Sequence, residues 1–108
     1  MKQWTKDDFF KFLEETYANC IATSRKKNAD YAGDADPFAN FRLVEKLGIC
    51  SVETGILVRM TDKMARITNL LQEGRVNQVK DESVDDTLID LANYSVILAA
   101  YRASKKEK

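Results

Sequence analysis

Four helix-start signals divide a chain in which no segment shows the alternation of a strand. Thr5 with Asp8, and Ser83 with Asp86, each place a hydroxyl three residues before a carboxylate, the spacing of a capping box. Asp36-Pro37 reads as an N-cap followed by the favoured first-turn proline, and Ser51 stands before a long periodic run. Behind these signals apolar residues recur every three or four positions. The first run is Phe9, Leu13, Tyr17, Cys20 and then Ser24; the later ones are Ile56, Met60, Met64, Ile67, Leu71 and Val84, Leu88, Leu91, Ser95, Leu98. The spacing predicts a helix from Thr5 to about Lys27 and a short one after Asp36 that Gly48 closes. A third runs from Ser51 to about Glu73 with Gly74 as its stop, and a fourth from Ser83 to about 103. Asn28 to Asp36 is expected as a loop. The fold class is therefore all-α, a compact bundle of three long helices and one short one. A single domain spans 1–103, and 104–108 is a frayed tail.

Charge and residue usage narrow the chemistry. Seventeen basic residues balance seventeen acidic ones, so no bulk field draws the 108-residue chain to nucleic acid or anionic membranes. No apolar run reaches membrane-spanning length and the first residues do not form a signal peptide. Cys20 and Cys50 have neither paired nor metal-like spacing and read as buried free thiols, which places the protein in a reducing cytoplasm. Histidine is absent, which removes the histidine general base, the Ser-His-Asp and Cys-His sites and the common zinc sites. Catalysis would have to use carboxylates, lysine, tyrosine or a hard, oxygen-bound metal such as Mg²⁺.

The fourth helix carries the main anomaly. Asp86 and Asp90 stand at i and i+4 with Asn93 continuing the row, a like-charge spacing that costs an isolated helix a few tenths of a kcal/mol. The same side continues as Ile97, Ala100 and Tyr101, so the acidic row lies on a face that becomes buried one turn later. A cation is expected there, from a metal or from another helix. The third helix supplies candidates, with Gly55, Arg59, Asp62 and Arg66 on one face and Lys63 at its edge. These cations would suit phosphate or the Asp86/Asp90 pair equally; alternatively Asp62 and Arg66 form a local i,i+4 ion pair and Gly55 eases helix packing. Glu53, in register with the apolar stripe, complements the helix dipole or serves as a metal ligand. In the stretch after the first helix, Lys27 stays in phase with the buried face, while Asn28, Asp30 and Tyr31 add amide, acid and an aromatic ring. Tyr31 could stack on a base while Lys27 meets phosphate.

Four blocks in order, Lys27-Asn28-Ala29-Asp30-Tyr31, Asp62-Lys63-Met-Ala-Arg66-Ile67, Lys80-Asp81-Glu82-Ser-Val-Asp-Asp86 and Asp90-Leu-Ala-Asn93-Tyr94, resemble the nucleotide-modification-associated domain, type one. That small family is common in phages and prophages, and the resemblance covers roughly 25–101. The last block also resembles, more distantly, the metal-binding helix of MazG-type all-α nucleotide pyrophosphohydrolases. Their Glu-x-x-Glu pair on an earlier helix is lacking here, with Glu53 and Asp62 the nearest substitutes.

The resemblance implies a nucleotide as partner, and with the faces read above the expected contacts are Lys27, Asn28, Asp30, Tyr31, Arg59, Lys63, Arg66, Asn93 and Tyr94. If the protein is an Mg²⁺-dependent phosphohydrolase, Asp86, Asp90, Asp62 and Glu82 are the expected metal ligands. If it is a non-catalytic binder, such as a sponge for a host immune signalling nucleotide, the two carboxylates pair with lysine or arginine instead. A helical protein-interaction module is the third possibility. A fourth helix apolar nearly all round predicts a homo-oligomer, a dimer or larger, in each case.

Overall fold

The computed structural model describes residues 3–31, 35–72 and 83–106. These form four helices, α1 (Lys6–Tyr31), α2 (Ala39–Lys46), α3 (Val52–Leu70) and α4 (Val84–Lys105), and contain no strand. Both expected capping boxes form. The Asp8 N–H donates to Thr5 Oγ1 at 3.1 Å and the Thr5 N–H to Asp8 Oδ2 at 3.0 Å. At α4, Ser83 Oγ accepts from the Asp86 N–H at 3.1 Å, and Asp86 Oδ2 accepts in return from the Ser83 N–H. Ser51 caps α3 by accepting from the Thr54 N–H. Gly48, at φ +74°, closes α2 in a Schellman motif, with Ile49 N–H on Val44 O and Gly48 N–H on Glu45 O.

Two boundaries differ from the sequence reading. α1 continues past Lys27 through Tyr31, so Asn28, Asp30 and Tyr31 belong to the helix and not to the expected loop. α2 begins at Ala39, because the Asp36 carboxylate is used on a turn ahead of it: it accepts from the Phe38 N–H at 3.0 Å and from Arg42 Nε at 2.5 Å. At the other end α4 reaches Lys105, whose ammonium donates to Glu53 Oε1 at 2.9 Å.

That contact, with Lys63 on Asp90 and Arg66 on Thr87, makes α3 and α4 an antiparallel pair. Val52, Ile56 and Tyr101 are the buried centre, packed by Phe38 and Phe41 before and within α2 and by Met60, Tyr94, Ile97 and Leu98. Gly55 is the close approach of α2 to α3: a Cβ built there would sit 2.9 Å from Val44 Cγ2. The packing role expected for this glycine is the one it has.

The helix faces shift from the expected stripes. Met64 of α3, Leu71 at its C-cap, and Leu88 and Ser95 of α4 are exposed, while Thr87 is fully buried. α1 departs most. Its Cys20 is buried and Leu13 half-buried, but Phe9 and Tyr17 of the expected inner face are exposed, with Phe10, Phe12 and Ile21. The molecule is correspondingly elongated, 49 × 32 × 23 Å with a radius of gyration of 16.3 Å, where a compact chain of this length would have about 13 Å. The expected compactness is not met: α1 joins α4 through Lys27 on Asp90, while Phe9, Phe10, Phe12, Tyr17 and Ile21 stay exposed. No helix among the described residues is long and apolar enough to cross a membrane. Both cysteines are free, with Cys20 buried and Cys50 half-buried.

Candidate functional site

Asp90 is the meeting point of three helices. Lys27 Nζ of α1 donates to Asp90 Oδ1 at 2.6 Å, and Lys63 Nζ of α3 lies 3.1 Å from Oδ2. The Asp90 side chain is 18% exposed against 27% for Lys63 and 47% for Lys27, so these contacts are partly shielded from water. Burial pushes its carboxyl up, but the hydrogen bonds and charges of Lys27 and Lys63 outweigh that and hold it below the usual carboxylate range. Three charged side chains from distant parts of the sequence are thus fixed in one place, with a cation left in excess.

They line a cavity of about 1020 Å³ between α1, α2, α3 and α4. Arg59, one turn before Lys63, and Arg25 of α1 also line it, and neither has an ion pair among the described residues. Asn93 stands one turn beyond Asp90; its Nδ2 is buried and has no hydrogen-bond partner among the described residues. A buried amide donor left unpaired costs about 1–3 kcal/mol, so an acceptor brought to it would be worth the same order. Beyond Asn93 the lining turns apolar, with Phe41, Tyr94 and Ile97, the two rings meeting edge-to-face at 6.3 Å. Cations, an unpaired amide and an aromatic end in succession suit a ligand that is anionic at one end and planar or apolar at the other.

The expected site residues separate accordingly. Lys27, Asn28, Arg59, Lys63, Asp86, Asp90, Asn93 and Tyr94 come together around the cavity. Asn28 is already engaged, its Nδ2 donating to Pro37 O at 2.9 Å. Asp30 is exposed on α1 and does not line the cavity. Arg66 faces α4 and donates through Nε to Thr87 Oγ1 at 3.2 Å. Its expected i,i+4 partner Asp62 is exposed and forms no ion pair among the described residues. The Tyr31 ring and Glu82 lie outside the described residues. Arg25 had no distinguishing signal in the sequence, because it sits on α1 two residues from the lysine that was in phase.

The acidic row also divides. Asp90 and Asn93 are half-buried, as the helical face implied, whereas Asp86 is exposed and committed to its capping box. Among the described residues no group of three carboxylates, cysteines or histidines is placed to hold a metal ion. Glu53 is drawn to the other end of α4. The Lys105 ammonium holds its carboxyl below the usual range against the desolvation that raises it, with Arg102 Nε at 3.8 Å.

Fold and cavity define a small all-helical protein with a cation-rich recess at the junction of its helices. The chain belongs to the nucleotide modification associated domain 1 family, whose profile matches residues 27–100. The match opens on Lys27 and takes in Lys63, Asp90 and Asn93. No curated protein and no solved structure matches the chain, and the MazG likeness finds no such support.

Proposed function

We propose that the protein binds a phosphorylated nucleotide in the cavity between its helices. One observation carries this reading: Lys27 and Lys63 are fixed on a single half-buried carboxylate while Arg25 and Arg59 line the same space without ion pairs among the described residues. Fixed cations beside a partly enclosed space are what phosphate recognition requires. The family to which the chain belongs supports the nucleotide as the phosphate's carrier.

Titration calorimetry with nucleoside mono-, di- and triphosphates, in EDTA and in Mg²⁺, tests the proposal. At least one nucleotide binds, and Lys27→Glu with Lys63→Glu abolishes it; absence of binding by every nucleotide sinks the idea. Chromatography of the ligand afterwards separates the two activities. Intact ligand makes the protein a sequestering binder. Release of pyrophosphate or phosphate only in Mg²⁺ makes it a hydrolase, with Asp62, Asp86 and Glu82 the acids to substitute next.

The protein also self-associates in this reading. Phe10, Tyr17 and Ile21 fall within about 40° of one another around the α1 axis, and all three are more than half exposed. A second copy presents the same row, so a two-fold contact is self-complementary. The zero formal charge of the chain opposes it with no net repulsion.

A further inference from the structure

From the charges that line the cavity we infer that its ligand is a nucleoside monophosphate, with Asn93 as the donor to the uncharged part. The inference rests on the nucleotide-binding reading and adds the ligand class to it. Four cations, Arg25, Lys27, Arg59 and Lys63, face two carboxylates, Asp86 and Asp90. Among the described lining residues the surplus is therefore two positive charges. A phosphate monoester carries close to two negative charges at neutral pH, its second pKa lying near 6. One terminal phosphate matches that surplus; di- and triphosphates bring charge that these described residues leave uncompensated.

Asp90 sets that balance. It occupies both lysines, lowering the surplus from three to two, and its own carboxyl is held ionised by them. Asp86 Oδ2, for its part, accepts from Ser83 Oγ at 2.8 Å as well as from the Ser83 N–H.

The uncharged part of the ligand is indicated by Asn93. Its buried Nδ2 is a donor with no acceptor among the described residues, on a wall that continues as Phe41, Tyr94 and Ile97. A carbonyl oxygen on a nucleobase or sugar-linked ring satisfies it, where inorganic phosphate leaves the aromatic end unfilled.

Calorimetry in EDTA with inorganic phosphate and with the mono-, di- and triphosphates of each common nucleoside distinguishes these points. For the base that binds best, the monophosphate binds more tightly than its di- and triphosphate and than inorganic phosphate. Asp90→Asn raises the surplus to three and shifts preference toward the diphosphate by about tenfold; Arg59→Gln lowers it to one and weakens the monophosphate by about tenfold. Asn93→Ala weakens the nucleoside monophosphate about tenfold and leaves inorganic phosphate unchanged. Should Asp90→Asn fail to fold by circular dichroism, Asp86→Asn makes the same charge change from an exposed position. Tightest binding by a triphosphate with Mg²⁺, or a preference that does not move with the charge changes, overturns the inference while leaving nucleotide binding intact. Inorganic phosphate binding as tightly as any nucleotide overturns the role of Asn93. Binding of no nucleotide removes the underlying reading and this one with it.

Discussion

Lys63 and Asp90 meet at 3.1 Å across the antiparallel α3/α4 pair, on the carboxylate oxygen opposite the one that takes Lys27. A single aspartate thereby ties α1 to α3 through α4. The same three groups support the fold and border the cavity, so stability and binding respond together to changes among them.

Asp90→Asn is expected to lower stability at pH 7 by about 1–2 kcal/mol, since the pair is partly buried and its lysines are part-exposed. The pH dependence has a fixed sign. The folded carboxyl titrates below its unfolded value near 3.9, so its contribution is fully present above that pH and is lost as pH falls through the folded value. Guanidinium denaturation should find the wild-type advantage constant from pH 5 to 7 and shrinking below pH 4. An advantage that grows on acidification would contradict the assignment.

Asp86 acts as a cap, and that can be tested apart from any metal. Ser83→Ala removes the acceptor for the Asp86 N–H and should cost about 1 kcal/mol. Ser83→Ala and Asp86→Ala should be strongly non-additive, because each breaks the same reciprocal pair. Equal losses in EDTA and in Mg²⁺ are expected for both.

Gly55→Ala places a methyl against Val44, whose β-branched side chain has little freedom to withdraw. Overpacking costs about 1–3 kcal/mol and the better helix former returns about 1, leaving a net loss of roughly 1 kcal/mol. Val44→Ala in the same chain should recover most of it. If Gly55→Ala alone stabilises the protein, the α2–α3 contact is looser than the geometry states.

Light scattering after size exclusion should give a mass that is a multiple of 12.3 kDa. Phe10→Glu with Tyr17→Glu, on the exposed row of α1, should shift the population toward the monomer without changing helical content. A wild-type monomer at tens of micromolar rules out self-association through this row.

The caps were readable from sequence because Thr5–Asp8, Ser51–Thr54 and Ser83–Asp86 are three residues apart and settle their geometry locally. Lys27 and Asp90 are separated by 63 positions, and the phase of Lys27 showed that it turned inward but not what it met. The apolar stripes were legible as periodicity and less so as burial. Periodicity marks which side of a helix is apolar, while burial depends on a neighbour being there; Met64, Leu88 and Tyr17 have the spacing and lack the neighbour. Thr87 is the converse. It is buried inside a polar-looking row because Arg66 Nε donates to its hydroxyl, which in turn donates to Ser83 O at 2.7 Å. The Asn28 to Asp36 stretch read as a loop from its turn-forming residues, yet α1 runs on through Tyr31, with Lys27 anchored on α4 close to its end.

α1 is one uninterrupted helix of 26 residues, about 39 Å long, with its aromatic row toward one end and Lys27 near the other. With no break along its length, the helix holds the exposed aromatic residues and the lysine that meets Asp90 at a fixed separation and a fixed rotation about one axis.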